Sequence, residues 1–205
     1  MSEKITELNN SIPLSVLSGA TIFHKLSARI LIVFGLIFFT TALSVATSAQ
    51  TITPNNLQNW SRADTRPGGS VKFITDATAP SGAGALQLTT DSTTAAKAQF
   101  LNPANTPLSS VTSLGYYTKQ VSSSFPNGAP SFQIAVYLDG TAATFTNLVY
   151  EPYNNGETII PNTWQQWNPI GEDFWSSRNV NAGGACVVTA GAGGPPFYTL
   201  ANLAA

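Results

Sequence analysis

"SFQIAVYLDG", residues 131–140, decides the fold. Phe132, Ile134, Val136 and Leu138 alternate with Gln133, Ala135, Tyr137 and Asp139. Successive side chains of a strand point to opposite faces, so this run predicts a strand with one buried face. The same period recurs outward along the chain. "SVKFITD" sets Val71, Phe73 and Thr75 against Lys72 and Asp76, and "GALQLTT" sets Leu86 and Leu88 against Gln87 and Thr89. "AKAQFL" turns Ala96, Ala98 and Phe100 inward, and "SLGYYTKQ" does so with Leu114, Tyr116 and Thr118. "TNLVYEPY" sets Leu148 and Tyr150 against Val149, Glu151 and Tyr153. In "NTWQQWNP" the odd spacing of Trp164 and Trp167 places them on opposite faces.

Between these runs lie "RPGGS", "APSGAG", "FPNGAPS" and "YNNGET", rich in the residues that fix φ or allow it to be positive in a turn. Short alternating runs separated by such turns predict an all-β fold, an antiparallel β-sandwich of jelly-roll type. Thr199 is the expected N-cap of a short terminal helix.

The first 49 residues read differently. Lys25 and Arg29 precede "ILIVFGLIFFTTALSVA", residues 30–46, an uncharged apolar run followed by small residues. Basic flank, apolar core and small-residue exit read as a secretory signal cleaved before Gln50, with Ala46 as the alternative cleavage point. If uncleaved, the same run is a membrane anchor with Lys25 and Arg29 on the cytoplasmic side. The expected organisation is therefore a signal or anchor helix within residues 1–49 and a β-sandwich over residues 50–205. The expected location is secreted or cell-surface, extracellular or periplasmic, with the membrane contacted only through the N-terminal segment.

Composition removes several functions from consideration. Arg62, Arg66, Lys72, Lys97, Lys119 and Arg178 are the only basic residues beyond residue 50, and they are scattered. A phosphate backbone needs a basic stripe, so nucleic acid is not an expected partner. His24 is the only histidine and lies in the leader, which removes triad catalysis and ordinary zinc ligation from the exported part. Cys186 is the only cysteine and sits in apolar "GGACVVT", as a small hydrophobe would.

Taken together, "WSRADTRPGGSVKF", "APSGAGALQLTT", "TWQQWNP", "DFWSS" and "AGAGGPPFYTL" resemble a group of secreted bacterial jelly-roll domains. These are similar in shape to the galactose-binding-like sandwiches used as carbohydrate-binding modules. The resemblance covers about residues 58–200 and implies a fold, without an established activity or catalytic residues. It also implies that a structural calcium can be present, for which Asp64, Asp76 and Asp91 near predicted turns are the candidates. Similar chains continue past the "FYTL" segment into further strands, so an incomplete sheet with an exposed edge is expected here.

Sugar recognition needs apolar ring faces together with amide or carboxylate groups for hydroxyls. The mixed strand faces supply Gln133, Tyr137, Asp139, Glu151, Tyr153 and Trp167 as candidate ligand-binding residues. Trp60 and Trp175 are expected to close the ends of the sandwich. The expected function is an exported non-catalytic domain that binds polysaccharide or a surface glycan. A structural or adhesive surface domain without a small ligand is the alternative. An extracellular polysaccharide hydrolase or lyase is a third reading, resting on carboxylates such as Asp139 and Glu151.

Overall fold

The computed structural model describes Lys4–Asn9 as a strand, residues 51–183 and residues 186–204. The apolar run at residues 30–46 lies outside the described residues. The strands are β1 Lys4–Asn9, β2 Gly69–Thr75, β3 Gly84–Thr90, β4 Tyr116–Ser122, β5 Phe132–Tyr137 and β6 Phe145–Tyr150. They continue with β7 Trp164–Trp167, β8 Phe174–Ser176, β9 Val180–Asn181, β10 Val187–Val188 and β11 Phe197–Tyr198, before the helix α1 Leu200–Leu203. One sheet has the order β2-β3-β1-β4-β7 and another β11-β8-β6-β5, with β9 and β10 forming a small ribbon. Every pairing between these strands is antiparallel. The fold is all-β.

Side-chain parity explains how the two larger sheets meet. Tyr116 and Trp167 stand opposite each other across β4 and β7 and both are buried, as are Leu148, Tyr150 and Phe174 of the other sheet. Tyr116 bridges the layers, with its ring 5.4 Å from Phe132 and 6.3 Å, edge-on, from Tyr150. Its hydroxyl donates to Pro130 O at 3.0 Å, and burial pushes its pKa well up. Phe132, Ile134, Val136 and Leu138 pack against this core but stay half-buried, because β5 is the last strand of its sheet. Leu86 is buried and Leu88 half-buried. Buried polar groups are paired: Trp167 Nε1 donates to Thr118 Oγ1 at 2.7 Å, and Gln120 Nε2 donates to Pro126 O at 2.9 Å and to Gly128 O.

Residues 96–100 form no strand; of the expected "AKAQFL" run only Leu101 makes a bridge, to Ser61. Phe100 still turns inward, stacked on Trp60 at 5.2 Å and edge-on to Phe73 at 6.0 Å, with Arg62 over Phe73. This satellite cluster covers β2. The approach is close: a Cβ at Gly69 would lie 2.0 Å from Lys97 O, so only glycine fits there. Thr199 caps α1 as expected, accepting from Asn202 N at 3.3 Å.

The middle of the five-stranded sheet is built unusually. β3 and β4 do not pair with each other. Lys4 to Leu8 stand against Thr90 to Leu86 on one side, and Thr6 to Asn9 against Gln120 to Tyr117 on the other. The loop after β2 reaches across this seam on the outer face. Asp76 pairs with Lys119 of β4, Thr78 Oγ1 lies 3.3 Å from the Lys119 ammonium, and Trp164 Nε1 of β7 donates to Thr78 Oγ1 at 3.3 Å. The ammonium also sits 5.4 Å from the Trp164 ring centroid.

Candidate functional site

The outer face of the four-stranded sheet gathers the polar and aromatic side chains. Tyr150 points into the core, so parity turns Phe145, Asn147, Val149 and then Glu151 outward along β6. Register adds neighbours: Tyr137 stands beside Phe145, Ala135 beside Asn147, and Gln133 beside Val149. On the other side Val149 is opposite Trp175, and Trp175 opposite Phe197. Val149 is buried although it belongs to this face.

One end of the face is a carboxylate cluster. Glu151 Oε2 accepts from Trp175 Nε1 at 2.9 Å, from Asn154 Nδ2 at 3.1 Å and from Tyr153 OH at 3.4 Å. Gly193 O lies 3.2 Å from both Tyr153 OH and Asn154 Nδ2, tying the 191–194 loop to the same group. Burial, with Glu151 adding to it, raises the Tyr153 hydroxyl pKa above its ordinary value. Phe125, 45 % exposed, packs edge-on against Tyr153 at 5.5 Å. Every donor so far described converges on Oε2; among the described residues none reaches Glu151 Oε1. The loop lies directly on Trp175, since a Cβ at Gly191 would meet Gly194 O at 2.1 Å and Trp175 Cβ at 2.9 Å.

The other end is aromatic and cationic. Tyr137, 54 % exposed, lies 5.4 Å from Phe145, and the Arg178 guanidinium sits 4.9 Å from the Phe145 centroid. The two ends are about 20 Å apart along β6 at ~3.3 Å per residue. A cavity of about 280 Å³ opens beside Tyr137, between Leu108, Ser109, Val136, Leu138, Cys186 and Leu203, and holds none of the carboxylates.

Of the residues expected from sequence, Gln133, Tyr137 and Glu151 share this face, and Tyr153 joins Glu151. Asp139 lies beyond Tyr137, at the opposite end of the face from Glu151, and is exposed with one oxygen, Oδ1, tied up in its own turn. It accepts from Thr141 N at 2.7 Å and from Thr144 Oγ1, which cap its own turn and hold its pKa down. Trp167 is a correction: it lies in the core, 4 % exposed, because it stands opposite Tyr116. Its neighbour Trp164 takes the outer face of the other sheet, opposite Lys119. Trp175 holds Glu151 at one end of this face. Asn154, Phe125, Phe145 and Arg178 were missed. Parity alone signalled Phe145; the others reach the site from loops, whose paths carry no period.

The three aspartates proposed for calcium sit in separate places. Asp64 pairs with Lys97 at 2.6 Å and Arg66 at 3.5 Å, and the Lys97 contact lowers its pKa. Asp91 accepts from Thr93 N at 2.8 Å and Thr93 Oγ1 at 2.6 Å, bonds that lower its pKa. Asp76 holds Thr78 and Lys119. Among the described residues no three His, Cys, Asp or Glu side chains gather as a metal site would need. No family model, curated protein or solved structure matches the chain.

Proposed function

We propose that this is an exported, non-catalytic sandwich of jelly-roll type that binds glycan along the outer face of its four-stranded sheet. One observation carries the reading. Glu151 is fixed by three donors through one oxygen, with the other oxygen open, and lies in line with the exposed Tyr137 and its half-buried partner Phe145 on the same face. A carboxylate held in one orientation accepts from sugar hydroxyls, and the rings of Tyr137 and Phe125 offer flat surfaces for the CH side of a pyranose. The spacing of the two ends suits an extended chain rather than a single terminal sugar. The non-catalytic part of the reading draws on separation: Asp139 follows Tyr137, which pairs with Phe145 at the end of β6 away from Glu151, about 20 Å off at ~3.3 Å per residue and so farther than a glycosidase's carboxylate pair.

The test is a glycan array probed with the folded protein and with two variants, Glu151→Gln and Tyr137→Ala. Retention of an extended glycan by the parent, weakened at least about tenfold in each variant at unchanged melting temperature, is the expected result. An array on which nothing is retained returns the domain to the structural or adhesive alternative. Release of shortened sugars, abolished in Glu151→Gln, supports the hydrolase or lyase instead.

A further inference from the structure

A sheet edge presents a row of unpaired backbone groups, and proteins blunt such edges with charge, proline, short strands or a covering segment. Three edges here are blunted. Along β2 lie residues 96–101, with Arg66 N donating to Lys97 O at 2.9 Å and Arg62 Nε to Val71 O at 3.1 Å. β7 has four residues, set between Pro161 and Pro169, and β11 has two, directly after Pro195 and Pro196. β5 has none of these devices. It runs six residues, Phe132–Tyr137, with no charge, no proline and no break in its register with β6.

The ladder fixes which groups β5 turns outward. Leu138 N donates to Thr144 O at 3.3 Å, and on the far side of β6 Ser177 N donates to Asn147 O at 2.9 Å. Ladder bonds alternate along an antiparallel pair, so Phe132, Ile134 and Val136 turn their N–H and C=O groups toward β6. Gln133, Ala135 and Tyr137 turn theirs to the edge. Among the described residues, Gly140 N on Tyr137 O is the one bond these edge groups make.

The strand reads alike in both directions about Ala135. Laid antiparallel on a second copy with a two-fold axis there, Ala135 meets Ala135, Gln133 meets Tyr137, Ile134 meets Val136 and Phe132 meets Leu138. Every inner residue then opposes an inner residue, which a shift by one would undo. Ala135 of each copy exchanges both ladder bonds with the other, and Tyr137 N–H reaches Gln133 C=O in both directions. The smallest side chain opposes itself on the axis, and exposed Asp139 stands opposite uncharged Ser131 rather than another acid. The cavity of about 280 Å³ also lies at this edge, lined by Val136, Tyr137 and Leu138, and the register brings the partner's Ile134 and Phe132 opposite Val136 and Leu138.

We infer that β5 is a homodimer edge: a second copy of this chain pairs with it, β5 to β5 about Ala135, and joins the two four-stranded sheets into one. The partner's Gln133 then stands beside Tyr137, so the outer faces of the two copies run on as a single surface. The pairing does not depend on what that surface binds.

Sedimentation equilibrium of the full-length chain tests it, in mild detergent so that residues 30–46 do not themselves associate. The parent is expected to pass from monomer to dimer over about a hundredfold range of concentration. Ala135 is exposed and its N–H points away from β6, so Ala135→Lys and Ala135→Glu should keep the parent's circular dichroism. Each sets like charges opposite each other at the axis and should weaken the dimer at least about tenfold. Mixing the two variants in equal amounts should restore association to the parent's strength or beyond, since position 135 then meets its opposite charge. A parent that stays monomeric, variants that associate as the parent does, or a mixture no stronger than its components overturns the proposal. Amide exchange of the parent gives a reading free of substitutions: the Ala135 and Tyr137 amides should be slow at dimer-forming concentration and fast on dilution. Amides slow at every concentration mean that the chain itself covers the edge, amides fast at every concentration mean that nothing does, and either overturns the proposal.

Discussion

Replacing Trp167 by Phe tests the placement that departs most from expectation. Trp167 and Thr118 are 4 % and 2 % exposed, and the indole N–H donates to Thr118 Oγ1 at 2.7 Å. Phe removes that donor and leaves a buried hydroxyl without it, which costs about 1–3 kcal/mol. The smaller ring also leaves about 40 Å³ unfilled, worth about 1 kcal/mol at ~24 cal/mol per Å³. The expected loss is about 2–4 kcal/mol, a fall of about 4–16 °C in melting temperature for a domain of this size. Thr118→Val added to Trp167→Phe removes the orphaned hydroxyl at nearly constant volume. The double variant should therefore recover about 1–2 kcal/mol relative to the sum of the single changes. Urea unfolding followed by far-ultraviolet circular dichroism measures all three. A single-variant change below about 0.5 kcal/mol, or strict additivity in the cycle, would refute the core placement and restore Trp167 as a surface candidate.

Three other outcomes are expected. Gly191→Ala should displace the 191–194 loop, because its Cβ has no room against Gly194 O and Trp175 Cβ; faster backbone amide exchange at residues 190–194 measures this. Asp139 has a pKa lowered from 3.8 in the folded state, so its contribution is complete above the unfolded value and is lost as pH falls through the folded one. Asp139→Asn should accordingly flatten the acid limb of a stability–pH curve below about pH 4, and an unchanged limb would assign that slope to other carboxylates. Mass spectrometry of secreted protein should give an N-terminus near Gln50.

Period-two alternation carried most of the strands. "SFQIAVYLDG" was legible because every second residue faces the core of a two-layer fold, and β3, β4 and β6 were legible for the same reason. Parity separates the faces of one strand but does not say which is inside when both carry large rings; this is why Trp167, and not Trp164, stands among the candidates from sequence. "AKAQFL" shows another limit. Alternation there reflects a segment lying flat on Phe73 and Trp60, with inward side chains but only an isolated bridge at Leu101. Half of the candidate site was legible, namely the β5 and β6 residues and Tyr153. Asn154, Phe125 and Arg178 arrive by turns whose end points depend on long-range bonds such as those from Gln120 Nε2 to Pro126 O and from Asn147 N to Ser177 Oγ. The position of β1 was invisible, because nothing local links Lys4–Asn9 to strands more than 70 residues away.

The clasp that Asp76 and Thr78 make with Lys119 and Trp164 gives the seam a polarity. It roofs the outer side near Leu86 and Tyr117, where β1 has its C-terminal end. The N-terminal end of β1 lies between Thr90 and Ser122. The two ends of β1 are therefore unlike: the clasp stands over its C-terminal end, and none of the clasp residues stands at Thr90 or Ser122.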